Sequence, residues 1–474
     1  MSCVLVTLQR HCRRCGPAIS RSLHAATQHR GAATQCAAAE LAPPPSKSAF
    51  PEWRPLDFFH FEILHQSRRS GARVGRIHTP HGIVDTPGFV AVGTNAALKF
   101  VNHRDAEEAG LQLMFCNTYH LLVHPGPEVV EAAGGLHRFM RRDAPLITDS
   151  GGFQIFSMQQ QPGQLCMPGD APAPSSVDGS GDGELKSSRH PNARHRYSDG
   201  GRQAAGPAGA AGEAGAGSHT GDVRVSEEGV TFRSYRDGAR LSLSPESTVE
   251  HQKALGADII VPLDELPSYH TGPDALRRSL LRTHRWEARS LRRHLELGAR
   301  GQAMYAVVHG GVDRELRRAS AEYLTALPFD GFAVGGAVGR DHAEMLEMLG
   351  YLLPMLPAER PRHLLGVADD VGVAPAVRLG VDTFDSCFPT RLGRHGTLLT
   401  PHGRLSIRQS KWRSVHRPPP GTAEGDESAH TLAYLHHLWK AHEPLVHSLL
   451  ALHNIKFMTS MCRELRERIM RDEL

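Results

Sequence analysis

Eight short apolar runs, separated by segments with helical periodicity, are the feature that most constrains the fold of this chain. The runs lie near Gly88–Gly93, Leu111–Asn117, Pro145–Ser150, Asp258–Glu265, Met304–Gly310, Gly331–Gly336, His363–Val367 and Val381–Asp385. Between most of them apolar residues recur every three or four positions, as in Pro273–Leu297, Arg314–Leu327 and Ala343–Leu353. Strands that alternate with helices form βαβ units, and eight of these units predict an α/β fold, a TIM (β/α)8 barrel.

Polar residues or glycines end six of the eight runs. In a TIM barrel the carboxyl ends of the strands meet at one face, where the chemistry is concentrated. The residues at these ends are Asn117, Asp149-Ser150-Gly151-Gly152, Asp264-Glu265, His309-Gly310-Gly311, Gly335-Gly336 and Asp385. We therefore expect Asp149, Asp264 and Asp385 to converge on one site at that face.

The segment from Val381 to Arg391 places a carboxylate and cations next to each other. A β-prone apolar run ends at Asp385, the chain turns at Pro389, and Arg391 and Arg394 follow. This arrangement suits attack on a substrate that carries phosphates. The alternative is an ordinary strand followed by a polar turn.

Composition narrows the protein class without fixing a partner. A hydrophobic content of 40% in 474 residues fits a folded protein, and no apolar run is long enough to span a bilayer. A net charge of +4 permits nucleic-acid binding but does not require it. The eight cysteines show no disulfide-type spacing, which favours a reducing compartment.

The chain divides into segments of different composition. Residues 1–50 are rich in arginine and contain no acid before Glu40, which is typical of an organellar targeting leader; a merely disordered start is the alternative. Residues 56–158 and 225–400 carry the barrel pattern. Between them, residues 159–222 are a Gly, Ala, Ser and Pro-rich insertion that cannot bury enough apolar surface to fold, so we expect disorder. Residues 401–474 form a C-terminal subdomain, with a small strand and then two helices within 429–469.

Three carboxylates in one site suit chemistry at a glycosidic bond. One can attack the anomeric carbon while a second handles protons. An ionised third can accept hydrogen bonds from the N1–H and N2–H groups of guanine. Paired glycines at strand ends would let backbone amides approach a flat base. An aspartate at a strand end is, taken alone, more often a helix N-cap or a turn residue, but three of them together with glycine pairs favour a site.

Four motifs resemble those of the tRNA-guanine transglycosylase family, the queuine tRNA-ribosyltransferases of the catalytic-subunit type. The resemblance covers about residues 56–158 and 225–470. The motifs are Asn117–Leu121 (NTYHL), Thr148–Gln154 (TDSGGFQ), Glu228–Phe232 (EGVTF) and Phe384–Arg391 (FDSCFPTR). The second and fourth are the most specific.

The resemblance implies a pentosyltransferase that replaces guanine at the tRNA wobble position with a 7-deazaguanine base. Asp385 matches the nucleophile that bonds covalently to the ribose, and Asp149 matches the carboxylate that assists proton transfer. Arg391 and Arg394 match basic residues that hold the anticodon backbone. The implied base-binding residues are Ser150, Phe153, Asp264, His309, Gly335, Gly336 and Leu365.

The zinc motif of the family is degenerate in this chain. The family uses C-x-C-x-x-C followed by a histidine in an HN dipeptide, and His453-Asn454 is present. Thr422, Glu424 and Glu427 occupy the cysteine positions. Structural zinc needs four good ligands, so we expect zinc to be lost, or weakly held by His453 with Glu424 and Glu427.

Two further differences bear on the base. His309 stands where the family has glutamine, and its charge varies with pH. The glycine loop from Gly335 to Gly339 is one residue short, and Val338 would crowd a bulky 7-substituent, which favours 7-aminomethyl-7-deazaguanine. An organellar leader favours queuine instead, which is our preferred base.

Two classes of function follow. The first is an active transglycosylase that acts on tRNA with a GUN anticodon, as a homodimer or a heterodimer with a related subunit. The second is a non-catalytic tRNA-binding or partner subunit. An ordinary glycosidase on a barrel is a third hypothesis. The leader favours the mitochondrion, with plastid or cytoplasm as alternatives.

Overall fold

Eight parallel strands close into a barrel in the computed structural model, which describes residues 42–159, 223–234, 236–422 and 429–474. The order of the strands around the barrel follows their order in the chain. They are Gly88–Val92, Leu113–Cys116, Leu146–Thr148, Ile259–Ile260, Ala303–Val308, Gly331–Val334, Arg362–Leu364 and Thr383–Ser386. Each overlaps one of the eight predicted runs, so the TIM-barrel prediction is confirmed.

Two predicted segments lie mostly beyond the described part of the chain. Residues 1–41 of the expected leader and residues 160–222 of the expected insertion fall outside it, so both stay predictions. The domain boundary expected at residue 401 also stays a prediction. Among the described helices, none combines the length and apolar character that crossing a bilayer requires.

Helices follow most of the barrel strands, and three match their predicted extents within two residues. These three are Pro273–Glu296, Arg314–Thr325 and His342–Leu352. The others described are His103–Glu108, Thr118–Val123, Pro127–Ala132, Leu136–Met140, Gly152–Gln159, Pro245–Leu255, Val373–Arg378, Phe388–Arg394, Leu432–Lys440 and Leu445–Met470. The side chains of Ser244, Asp313 and Asp341 accept backbone N–H bonds at helix starts, which fixes where those helices begin.

A three-stranded antiparallel sheet covers the amino-terminal end of the barrel. Its strands are His60–Gln66, Arg73–Thr79 and Gly82–Thr86. Ile77 and Val84 of this sheet belong to the same buried cluster as Val90, Leu113 and Ile147 of the barrel. Burial of each such side chain stabilises the fold by about 1.5–3 kcal/mol. The barrel is therefore filled and closed at this end, which leaves the opposite end for a site.

Smaller elements complete the structure. Strands Arg224–Val225, Val230–Arg233 and Arg240–Leu243 form a second antiparallel sheet, and Thr397–Thr400 pairs with Gly403–Ser406 as a hairpin. Trp286 is fully buried in the cluster that contains Val230 and Phe232 of the second sheet. The segment after the insertion is thereby fixed to the barrel's long helix.

The last helix, Leu445–Met470, packs against the barrel itself. Ala451, Ile455 and Met458 are fully buried in the main hydrophobic cluster. A Cβ atom at Gly393 would lie 2.6 Å from the nitrogen of Ala451, so only glycine allows this close approach of two helices.

Gln252 joins the third and fourth barrel strands beyond their short pairing at Ile147 and Ile259. Its Oε1 accepts hydrogen bonds from Thr148 Oγ1 (2.9 Å) and the nitrogen of Val261 (3.1 Å). Its Nε2 donates to the oxygen of Val261 (2.8 Å). This buried amide replaces the ladder bonds that the diverging strands no longer make.

Substitution of Gln252 by leucine is expected to lower the free energy of unfolding by about 3 kcal/mol. The N–H and C=O groups of Val261 would lose their partners, and each buried unpaired polar group costs about 1–3 kcal/mol. Urea denaturation measures the change. Glu250→Gln, on the exposed face of the same helix, is the control and should change stability by less than about 1 kcal/mol. A loss of less than about 1 kcal/mol in Gln252→Leu would contradict the structural role assigned to Gln252.

Candidate active site

A cavity of about 490 Å³ opens at the carboxyl ends of the barrel strands. Most of the residues selected from the sequence line it. Those that do are Asp149, Ser150, Phe153, Asp264, Gly335, Gly336, Leu365, Asp385 and Arg391. The convergence of the three aspartates expected from the strand ends is therefore what the structure shows. His309 lies behind the cavity wall, and Arg394 lies on the helix that carries Arg391.

Asp385 lies in the eighth strand, with its side chain held on one oxygen. Its Oδ1 accepts a hydrogen bond from the nitrogen of Gly366 (2.9 Å) and lies 3.1 Å from His363 Nε2. His363 is itself oriented by Thr383, whose Oγ1 lies 2.8 Å from Nδ1. Within the described residues, Oδ2 of Asp385 accepts no hydrogen bond. One carboxylate oxygen is thus fixed and the other is free to react.

Asp149 follows the third strand and is surrounded by donors. Oδ1 accepts from the nitrogens of Thr118 (2.7 Å) and Gly151 (3.2 Å), and Oδ2 accepts from Asn117 Nδ2 (2.6 Å) and Gln154 Nε2 (2.9 Å). Burial raises the pKa of Asp149 from 3.8 to about 6, although these hydrogen bonds act to lower it. A carboxyl group with this pKa can both give and take a proton near neutral pH.

Asp264 connects the cavity with a buried histidine. Its Oδ1 accepts a hydrogen bond from Ser150 Oγ (3.3 Å), and its Oδ2 lies 2.8 Å from His309 Nε2. His309 is 3% exposed and does not line the cavity. It contacts the cavity lining through Asp264, and its direct contact with a base stays a prediction from the sequence.

The glycine loop after the sixth strand owes its position to the absence of side chains. A Cβ atom at Gly335 would lie 2.5 Å from Val307 Cγ1, and one at Gly336 would lie 2.8 Å from His309 Nδ1. Both glycines therefore bring the backbone directly to the cavity wall. Phe153, which is 43% exposed, and Leu365 line the same cavity and offer apolar faces.

Val338 does not crowd the cavity, so the expectation that it would exclude a bulky 7-substituent is wrong. Val338 is 1% exposed and packs in the main hydrophobic cluster, whereas Ala337 lines the cavity. The shortened loop turns the valine inward, so its side chain does not narrow the space next to Gly336. The structure thus removes the steric objection to a bulky base.

Buried polar residues lie behind the cavity, and sequence reasoning missed them. Glu287, on the long helix, accepts a hydrogen bond from the nitrogen of Val307 (3.1 Å), and burial raises the pKa of Glu287 well above its ordinary value. Burial also lowers the pKa of His284 to about 3. His284 is therefore uncharged at neutral pH, and burial favours the protonated form of Glu287. In the sequence their helix has an ordinary amphipathic pattern, so nothing marks Glu287 or His284 as buried.

His453, the expected metal ligand, lies on the last helix and its Nε2 lies 2.9 Å from the carbonyl oxygen of Leu399. This nitrogen donates its proton to that oxygen, which leaves the lone pair of the imidazole on Nδ1. Glu424 and Glu427 lie outside the described residues. Among the described residues His453 belongs to no group of three possible metal ligands, and the loss of zinc stays a prediction from the sequence.

A second group of possible metal ligands lies at the closed end of the barrel. His81, His137 and Asp258 have ligand atoms within 4.8 Å of one another. Asp258 already accepts bonds from both histidines (2.7 and 3.1 Å) and from the nitrogen of Leu146 (2.8 Å). These contacts connect the three-stranded antiparallel sheet at this end to the third and fourth barrel strands, which is a structural role.

Removal of the titrating group at Asp149 should change how stability depends on pH. The folded-state pKa of about 6 lies above the ordinary value of 3.8, so between these values the folded state binds the proton more tightly. The contribution of Asp149 to wild-type stability should therefore fall by up to about 3 kcal/mol as pH rises through this window, at 1.36 kcal/mol per unit. Asp149→Asn should lack this fall, as measured by urea denaturation at pH 4 and pH 7.5.

The control for this experiment is Ser150→Ala, which alters the same cavity without changing a titrating group. Its stability should stay parallel to that of the wild type across the pH range. Parallel profiles for Asp149→Asn and the wild type would show that burial does not raise the pKa of Asp149.

Comparison with known proteins agrees with the geometry. A family model described as queuine tRNA-ribosyltransferase matches residues 67–172 and 214–474. The queuine tRNA-ribosyltransferase of Protochlamydia amoebophila (strain UWE25) is 47% identical over 418 residues, which cover 88% of this chain and 97% of the relative. That of Chlamydia trachomatis serovar L2 is 43% identical over 416 residues, 87% of this chain and 99% of the relative. The chain therefore belongs to the queuine tRNA-ribosyltransferase family, also called the tRNA-guanine transglycosylases.

Proposed function

We propose that the protein is a pentosyltransferase that exchanges guanine at the wobble position of tRNA for a 7-deazaguanine base. One observation carries the proposal: three carboxylates, Asp149, Asp264 and Asp385, line a single cavity at the open end of the barrel. Exchange of one base for another at the same carbon requires a nucleophile, a proton-transfer group and a base-recognition group, and three carboxylates can divide these tasks.

Asp385 acts as the nucleophile in this mechanism. Its Oδ2 attacks C1′ of the ribose, and the bond from C1′ to N9 of guanine breaks with its electron pair going to the base. Hydrogen bonds from Gly366 and His363 to Oδ1 support this role, because they orient the carboxylate while the other oxygen stays free. The product is a covalent aspartyl-ribose intermediate, from which the incoming base displaces Asp385 by the reverse steps.

Asp149 assists proton transfer. Neutral guanine leaves when the departing base gains a proton, and the incoming base must lose one when it bonds to the ribose. A group with a pKa of about 6 supports both steps near neutral pH.

Asp264 accepts hydrogen bonds from the donor edge of the base, with Ser150 beside it. Phe153 and Leu365 pack on the two faces of its ring.

We propose queuine as the incoming base, with its 7-aminomethyl-7-deazaguanine precursor as the alternative. The relatives are named for queuine. The small side chain of Ala337 at the cavity, where Val338 had been expected to intrude, supports a base with a large 7-substituent. Recognition of a tRNA with a GUN anticodon involves Arg391, which lines the cavity, and Arg394 on the same helix.

The alternative, a non-catalytic tRNA-binding partner subunit, would not need an intact reaction centre. The free oxygen of Asp385 and the raised pKa of Asp149 both favour the enzyme. An ordinary glycosidase needs neither a base-recognition carboxylate nor cations beside the nucleophile. Assembly as a homodimer or heterodimer, and mitochondrial localisation, stay predictions from the sequence.

Asp385→Asn is expected to abolish base exchange and covalent trapping of tRNA, because an amide oxygen cannot displace the base. The measurement is incorporation of labelled guanine into a tRNA with a GUN anticodon, together with a denaturing gel for the protein–tRNA adduct. Asp313→Asn is the matched control, since asparagine still caps its helix outside the cavity. Labelled guanine entering tRNA at the wild-type rate with Asp385→Asn would refute the nucleophile assignment.

We propose that zinc is not tightly bound. Thr422, Glu424 and Glu427, which offer oxygen donors in place of the cysteines, support this. Elemental analysis of purified protein should find well under one zinc per chain. One zinc per chain that survives dialysis against a chelator would overturn the proposal.

A further inference from the structure

Arg317 is a fully buried cation that binds only main-chain oxygens. Its Nε donates to the oxygen of Gly311 (2.7 Å) and its Nη1 to that of Val308 (2.6 Å). Its Nη2 donates to the oxygens of Gly335 (2.9 Å) and Ala337 (3.3 Å). No carboxylate among the described residues forms an ion pair with it. Burial lowers the pKa of Arg317 to about 9, so the guanidinium remains charged at neutral pH.

Three of the four carbonyl groups belong to the loops that follow the fifth and sixth barrel strands, and the fourth, that of Val308, ends the fifth strand. In a trans peptide the C=O and the following N–H point in opposite directions. The Gly335–Gly336 peptide is trans, and its C=O faces Arg317. The N–H of Gly336 therefore points away from Arg317, and Gly336 lines the cavity. Within the described residues this N–H has no acceptor.

The position of Gly336 relative to Asp264 determines which hydrogen-bonding groups a ligand must carry along one edge. His309 lies between them, with Nε2 at 2.8 Å from Asp264 Oδ2 and Nδ1 at 2.8 Å from the place of a Cβ on Gly336. Because the two nitrogens belong to one imidazole ring, Asp264 and Gly336 lie close enough together for one flat base to contact both. The site thus offers one donor, from Gly336, beside the acceptors of Asp264. A 6-oxopurine edge, with a carbonyl next to its N–H groups, is complementary to this set.

We propose that Arg317 is a positioning residue for base exchange: it fixes and polarises the Gly335–Gly336 peptide so that the Gly336 N–H donates to the carbonyl oxygen of the bound base. A cation bound to a carbonyl oxygen strengthens the donor on the same peptide, and burial excludes the water that would weaken the effect. The guanidinium fork also holds two loops at once, which a single ammonium cannot do. This inference rests on the proposed transglycosylase activity.

The test compares bases with and without the carbonyl group. Guanine and 2-aminopurine differ at C6, where only guanine carries an oxygen, and at N1, where only guanine carries a hydrogen; the loss at N1 is the same in every variant and cancels when variants are compared. Affinity for each is measured as an inhibition constant against incorporation of labelled guanine into tRNA. In Arg317→Lys and Arg317→Gln, the affinity for guanine should fall on the order of tenfold. The affinity for 2-aminopurine should change less than about twofold, because that base makes no bond that Arg317 supports.

A purely structural role would weaken both bases equally, and an equal loss would overturn the proposal. Arg142→Lys is the matched control, since Arg142 is a buried arginine that binds Glu107 and the oxygen of Gln112 away from the cavity. It should keep the wild-type ratio of the two affinities. Wild-type protein that incorporates no guanine would overturn the proposed function instead.

A second measurement does not depend on whether the variants fold. In a crystal structure of the wild-type protein with guanine, the nitrogen of Gly336 should lie about 2.9 Å from the base oxygen. The guanidinium should remain on the oxygen of Gly335. A Gly336 N–H directed at another acceptor, or a guanidinium turned away from that peptide, would overturn the proposal.

Discussion

Pairing between the eighth and the first barrel strands is the constraint on which the rest of the structure depends. Thr383 pairs with Gly88 and Asp385 with Val90, which closes the sheet. Because side chains alternate along a strand, a shift of one residue would turn Asp385 out of the cavity. The register is fixed below by Asp382, which binds the buried guanidinium of Arg73 through both oxygens (2.8 and 2.6 Å). A buried ion pair at the closed end of the barrel thus helps to determine where Asp385 lies.

The three carboxylates at the open end differ in their surroundings, and this difference separates their roles. Asp149 is surrounded by four donors yet keeps a raised pKa because it is buried. Asp385 is held on one oxygen only, and Asp264 is fixed by a histidine behind the wall. In the proposed mechanism one residue type therefore serves as proton carrier, nucleophile and base-recognition group, because burial and neighbouring groups determine the properties of each carboxyl.

The barrel and the location of its site could be predicted because both leave a local signal in the sequence. Buried strands are apolar runs, and polar strand ends such as Asp149 and Asp385 interrupt them. Arg317 and Glu287 left no signal, since a charged residue on an amphipathic helix normally faces water, and only the packed structure shows that these two face inward. The path of a loop is equally invisible, which is why Val338 was placed at the cavity. The fourth strand is shorter than predicted. The backbone of Val261 bonds to Gln252 of a helix and not to a neighbouring strand, and the apolar run in the sequence does not reveal this.

The packing of the last helix also has a consequence for how the chain reaches its native state. Arg466 on that helix donates to the oxygen of Pro87 (2.7 Å), next to the first strand, across a separation of 379 residues. Contacts between such distant segments slow folding. At ribosomal rates of about 5–20 residues per second, the first strand waits roughly 20–80 seconds for the segment that covers it. The early half of the barrel must therefore stay soluble with apolar surface uncovered for much of its synthesis, which makes it a natural client for chaperones.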